Sequence, residues 1–244
     1  MALEYLNETN YAKMILMKKL SLNIDKLKHD PEENLAYGLN QEWYKTKWQR
    51  LSGCGPTAAS TLIYAMTSQN DNFNREEALT LMDTMWNYVT PSLKGVYKRS
   101  MFTEGLQKYF DAHQLKGTIE HIEIPKEKSQ RPSLNDVMAF IETALLHQVP
   151  IAFLNLDNGE EKKLDEWHWV IISGLDSLDD HPEVYVHIID DNKLFAIDIA
   201  LWLKSTKRGG ALVYALLDWN FFIKTSGSKL CNKASSSVMR PFFT

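Results

Sequence analysis

The sequence predicts an α+β fold: a helical half that carries a cysteine at a helix start, packed on a half built from antiparallel strands. Three observations predict it. Apolar residues recur three and four apart in stretches between residues 58 and 147. β-branched and apolar runs of strand length dominate from residue 149 onward. Acidic and glycine-bearing segments then separate those runs at hairpin spacing. With 244 residues, 44% of them hydrophobic and 24% charged, the chain has enough apolar material for one good core.

Taken in order, residues 7–28 place apolar side chains at 11, 14, 15, 20, 22, 24 and 27 among lysines, which predicts a helix whose lysine stems cover the edge of a core. A polar break with Pro31 follows, so 1–34 is expected to be an N-terminal helical extension and 35–224 the main domain. The aromatic stretch 37–50 has no clean period and reads as a loop anchored by its rings. After it comes Ser52-Gly53-Cys54-Gly55-Pro56-Thr57-Ala58-Ala59-Ser60. The glycines permit a sharp turn and close approach, and Pro56 fits the first turn of a helix, whose N–H groups have no partner anyway. Apolar residues at 58, 62, 65 and 66 continue that helix, so Cys54 is expected at its N-terminus. There the helix dipole favours the nucleophilic thiolate, and unpaired N–H groups are available to a developing oxyanion.

Helices are predicted over 75–88, 100–112 and 133–147, with Asn72 or Asn74 capping the first and Ser133 with Asp136 starting the third. Residues 118–124 intersperse isoleucines with polar side chains and read as a strand. Further strands are expected over 149–156, 167–174, 183–189 and 211–217, with a short helix at 197–204 and turns at 157–163 and 176–182. Residues 225–244, rich in serine and lysine, read as a mobile tail.

Composition narrows the function classes. A net charge of -4 without a basic stripe argues against a nucleic-acid partner. The start lacks the charged segment and apolar run of a signal peptide, and no stretch approaches membrane-spanning length, so a cytoplasmic protein without a membrane partner is expected. Two cysteines in dissimilar surroundings, Cys54 and Cys231, fit a reducing compartment better than a disulfide. No cysteine pair, His-x-x-x-His spacing or calcium-loop pattern appears, so neither a metal nor a cofactor is expected.

Cysteine chemistry needs a base. Of seven histidines, His168 opens the strand Trp167-His168-Trp169-Val170-Ile171-Ile172-Ser173-Gly174, at a sheet end where a loop can meet a cleft. His187 is its rival, placed inside a strand. A third group should hold the imidazole, and Asp190-Asp191-Asn192 ends the strand expected beside that of His168. Side chains alternate along a strand, so only one acid can share the base's side: Asp190 is chosen and Asp191 is the alternative.

The order Gln49, Cys54, His168, Asp190 resembles the papain-like cysteine peptidases. More narrowly, the two motifs quoted above, followed by Asp190, resemble the bacteriocin-leader-processing peptidases and their relatives, over residues 43–217. The resemblance implies a papain-like α+β fold, a Cys54–His168–Asp190 triad, and Gln49 as oxyanion donor. Two departures stand out: Asp191 replaces the proline usual after the acid, and Gln49 lies five residues before the cysteine instead of six. Hydrolysis of a peptide bond in a peptide or protein substrate is the activity implied. Amide hydrolysis, acyl transfer and a catalytically silent peptide-binding domain remain the alternatives.

Overall fold

A seven-stranded antiparallel sheet forms the centre of the fold, and the first strand in the chain is one of its members. The computed structural model describes residues 17–29, 36–68, 73–178 and 182–218. Residues 1–16, the tail 225–244 and Cys231 lie outside them. The described part of the segment expected as helix over 7–28 is instead strand β1, Met17–Ser21. Lys19 and Ser21 turn outward while Leu20 and Leu22 turn inward, a period of two that the surrounding lysines obscured.

Two short strands, β2 (Lys28–His29) and β3 (Ala36–Tyr37), pair with each other. The stretch expected as a loop contains a 3-10 turn at Gln41–Trp43 and a helix α1, Lys47–Ser52. Thr46 and Gln49 start α1 with a reciprocal capping box, which lets so short a helix form. Helix α2 is Cys54–Thr67, and every residue from Gly55 to Tyr64 is buried. Such a helix has no solvent face. It packs against the sheet and against α3 (Arg75–Trp86) and α4 (Arg99–Ala112). Asn74 caps α3 through the amides of Glu76 and Glu77.

Strand β4 is Gly117–Ile124, and α5, Leu134–Leu146, begins with the Ser133–Asp136 capping box. Then follow β5 (Ile151–Asn155), β6 (His168–Leu178), β7 (Val184–Asp190), β8 (Lys193–Asp198), α6 (Ile199–Ser205) and β9 (Gly210–Leu217). The sheet order is β4-β9-β5-β6-β7-β8. β5 covers one flank of β6 over Val170 to Ile172 and the residues before, and β1 covers the same flank from Gly174 onward. The pairing of β6 with β7 shifts register between Ile172 and Gly174, a bulge at Ser173.

Helices lie on both faces of this sheet. Trp169 stacks on Phe102 of α4, with centroids 4.2 Å apart. Phe153 and Tyr214, which point to the opposite face by strand parity, meet Trp202 of α6 and Phe140 of α5. The expected α+β arrangement with an antiparallel sheet is therefore the observed one, with a second helical layer added by α5 and α6. Burying side chains such as Leu62, Ile63 and Phe153 against this sheet stabilises the fold by about 1.5–3 kcal/mol each. Among the described residues no helix is long and apolar enough to cross a membrane.

Candidate active site

The start of α2 is shaped by two glycines. A Cβ on Gly53 would stand 2.4 Å from the Gln49 carbonyl oxygen and 2.8 Å from the Tyr44 ring. One on Gly55 would stand 2.6 Å from Val96 Cγ2. Only hydrogen fits at either position, which is why the chain can turn from α1 into α2 with Cys54 as its first helical residue. Cys54 is half-buried and has no disulfide partner among the described residues.

His168 opens β6 and Asp190 closes β7, at the same end of two neighbouring strands. With Ile171 opposite Ile189, positions 168 and 190 share one parity and 191 has the other. His168 Nε2–H donates to Asp190 Oδ1 at 2.8 Å. That leaves Nδ1 for the Cys54 thiol, which lines the same cavity as the imidazole. Burial alone would push the His168 pKa down. The hydrogen bond to Asp190, the neighbouring Cys54 thiol and the charges of both outweigh it and raise the pKa well above its ordinary value. Preceding it, Trp167 adopts φ 59°, unusual for so bulky a residue, and its ring is covered by the Arg208 guanidinium at 4.9 Å.

The rival residues are placed elsewhere. Asp191 and Asn192 both have positive φ, 46° and 64°, and link Asp190 to its partner Lys193 as a two-residue hairpin turn. Asp191 lines the site without accepting from His168, and burial followed by the Asp190 charge raises its pKa. His187 Nε2 is paired with Asp176 at 3.0 Å, further along β6 and β7.

A narrow cavity of about 20 Å³ lies against the triad, lined in part by Cys54, Thr57, His168, Asp190, Leu39 and Gln41. It has room for about one water molecule. Gln49 is not on its wall. The Gln49 Oε1 accepts from the Thr46 amide at 3.2 Å and the Thr46 hydroxyl at 3.0 Å, which turns the side chain back over the first turn of α1. The glutamine that the fold brings to the cavity is Gln41, whose buried Oε1 has no hydrogen-bond partner. Its position, thirteen residues before Cys54, has no fixed spacing to the nucleophile that a sequence pattern would flag. Two larger cavities, of about 610 and 590 Å³, lie away from the triad and contain none of these side chains. Among the described residues no group of three or more His, Cys, Asp or Glu side chains is placed to hold a metal ion.

A thiol, an imidazole and a carboxylate are set together at a helix N-terminus and a sheet end, groups that can serve as nucleophile, base and orienting partner. No protein-family model and no curated protein matches the chain. Among solved structures, it is similar to UfSP from C. elegans, with a TM-score of 0.47 and 10% sequence identity. The match covers 84% of this chain and 38% of that one, so the chain spans well under half of the UfSP chain.

Proposed function

We propose that this protein is a cysteine peptidase that hydrolyses peptide bonds through Cys54, His168 and Asp190. The observation that carries the reading is the imidazole of His168, hydrogen-bonded to Asp190 at 2.8 Å and sharing a cavity wall with Cys54. His168 takes the thiol proton, and the thiolate attacks the scissile carbonyl carbon, forming a C–S bond while the carbonyl electron pair moves to oxygen. That oxyanion meets the backbone N–H of Cys54, which as the first residue of α2 has no partner within the helix. A second donor is the Gln41 amide, whose oxygen is unpartnered and which can turn its NH₂ into the cavity. In this reading Gln41 takes the role expected of Gln49.

Collapse of the intermediate expels the amine, which receives the proton from His168, and leaves a thioester on Cys54. Water then attacks that thioester with His168 as base, releasing the carboxylic acid and restoring the thiol. Asp190 holds the ring and stabilises its imidazolium form. The resemblance of the two motifs to leader-processing peptidases favours peptide over small-amide substrates.

The test is digestion of an unbiased peptide library by the wild-type protein and by Cys54→Ala. Cleavage products present only with the wild type are expected. Identical digests from the two proteins would end the peptidase reading.

A further inference from the structure

The cavity beside the triad has a wall that comes from neither α2 nor the sheet. Leu39 and Gln41 supply it, from the segment between β3 and α1. That segment passes very close to the strand of Asp190, since a Cβ on Gly38, where φ is 70°, would stand 2.7 Å from Ile189 Cγ2. Its alignment depends on how Gly38 is held. The Gly38 N–H donates to the Leu27 carbonyl at 2.7 Å, and the Gly38 carbonyl accepts from His29 Nε2 at 3.1 Å.

The same imidazole also grips the far end of the wall. Its ring lies edge-on to Trp43, with centroids 5.6 Å apart, and stacks on Phe73 at 4.4 Å. Arg75 covers Trp43 from 4.7 Å. One side chain therefore touches the residue before Leu39 and the second residue after Gln41. Burial, with a smaller contribution from the Arg75 charge, lowers the His29 pKa against the opposing effect of the Gly38 bond. The ring is thus neutral at pH 7, and because its partner is a carbonyl, the hydrogen sits on Nε2.

We infer that His29 is a positioning residue for the catalytic cavity: it clamps the Gly38–Trp43 segment at both ends and so sets where Leu39 and Gln41 stand relative to Cys54. The inference rests on the proposed triad only for its activity readout. Misplacement of a reacting-site group by about 1 Å costs up to about a hundredfold in rate, so a clamp remote from the chemistry has measurable consequences.

The experiment compares His29→Phe, which keeps a flat ring for Phe73 and Trp43 but has no N–H for Gly38, with His29→Gln, which keeps a donor. Amide hydrogen exchange is read at Gly38, Glu42, Trp43 and Tyr44, whose N–H groups are bonded in the structure. In His29→Phe, exchange at these sites is expected to rise about tenfold while α5 stays unchanged, and His29→Gln should recover protection at Gly38. Peptide turnover in His29→Phe should fall about tenfold in kcat with KM within about twofold. Unchanged exchange at these four amides, or a rise spread equally over α5, would overturn the inference. Absence of turnover in the wild type would remove the peptidase reading, and the exchange data would still decide the role of His29.

Discussion

Trp169 donates its indole N–H to the backbone carbonyl of Val96 at 2.6 Å, tying the strand of His168 to the loop whose Val96 side chain fills the space above Gly55. Cys54 and His168 sit on different elements, and this buried bond fixes the loop between them. Trp169→Phe keeps the stacking surface for Phe102 but leaves the Val96 carbonyl without its donor. The expected cost is about 1–3 kcal/mol, read as a fall of about 2–10 °C in Tm. Turnover should fall with it. An unchanged Tm would show that water replaces the indole at no cost.

The raised pKa of His168 has a definite sign in stability. A base bound more tightly by protons in the folded state stabilises it fully below the unfolded value of about 6.5, and that contribution is lost as pH rises through the folded value. Wild-type stability should therefore decline on the alkaline side of neutrality. Asp190→Asn removes the carboxylate's charge and its hydrogen bond to the ring, so it should flatten this slope between pH 6 and pH 9 and bring the alkaline limb of the activity profile to lower pH. Turnover at its optimum should drop at least about tenfold. Denaturant titrations at the two pH values and a pH–rate profile check both statements; a slope equal to the wild type's would place the titrating group elsewhere.

Asp191 has the same sign of pH dependence. Burial first, and then the neighbouring Asp190 charge, raise its pKa, so its ionised form opposes folding and this penalty appears as pH rises through the raised value. Asn also accepts the left-handed backbone found there at φ 46°. Asp191→Asn should thus raise Tm at pH 7 by a few degrees, with the gain vanishing well below pH 4, and should keep the triad competent. A loss of activity as large as that of Asp190→Asn would mean that Asp191 orients the base.

Much of this fold was legible because its elements declare themselves within a few residues. Ser133 and Asp136 announce α5, Asn74 announces α3, and the isoleucine-rich stretch 118–124 announces an edge strand of the sheet. The positions of Cys54, His168 and Asp190 were readable for the same reason, each standing at the end of an element with strong local signals. What remained hidden depends on distant partners. β1 becomes a strand through pairing with β6, and β8 follows a hairpin turn whose Asp191-Asn192 dipeptide reads in the sequence only as a strand end. Gln49 lost its expected place to a cap: the Thr46 amide and hydroxyl, next to it in space, hold its amide oxygen. Gln41 reaches the cavity only because His29 and Leu27 hold Gly38, contacts with no sequence period.

The pairing of β1 with β6 also orders events during synthesis. Ser21 faces Gly174 and Met17 faces Leu178, so an emerging chain must wait for about 150 further residues before its first strand has a neighbour. At about 5–20 residues per second this is on the order of 10–30 s. Throughout that interval Leu20 and Leu22 have no sheet to cover them. The nascent chain is most exposed to aggregation or chaperone capture then, and the arrival of β6, not the assembly of α2 and its helical neighbours, sets when β1 can pair.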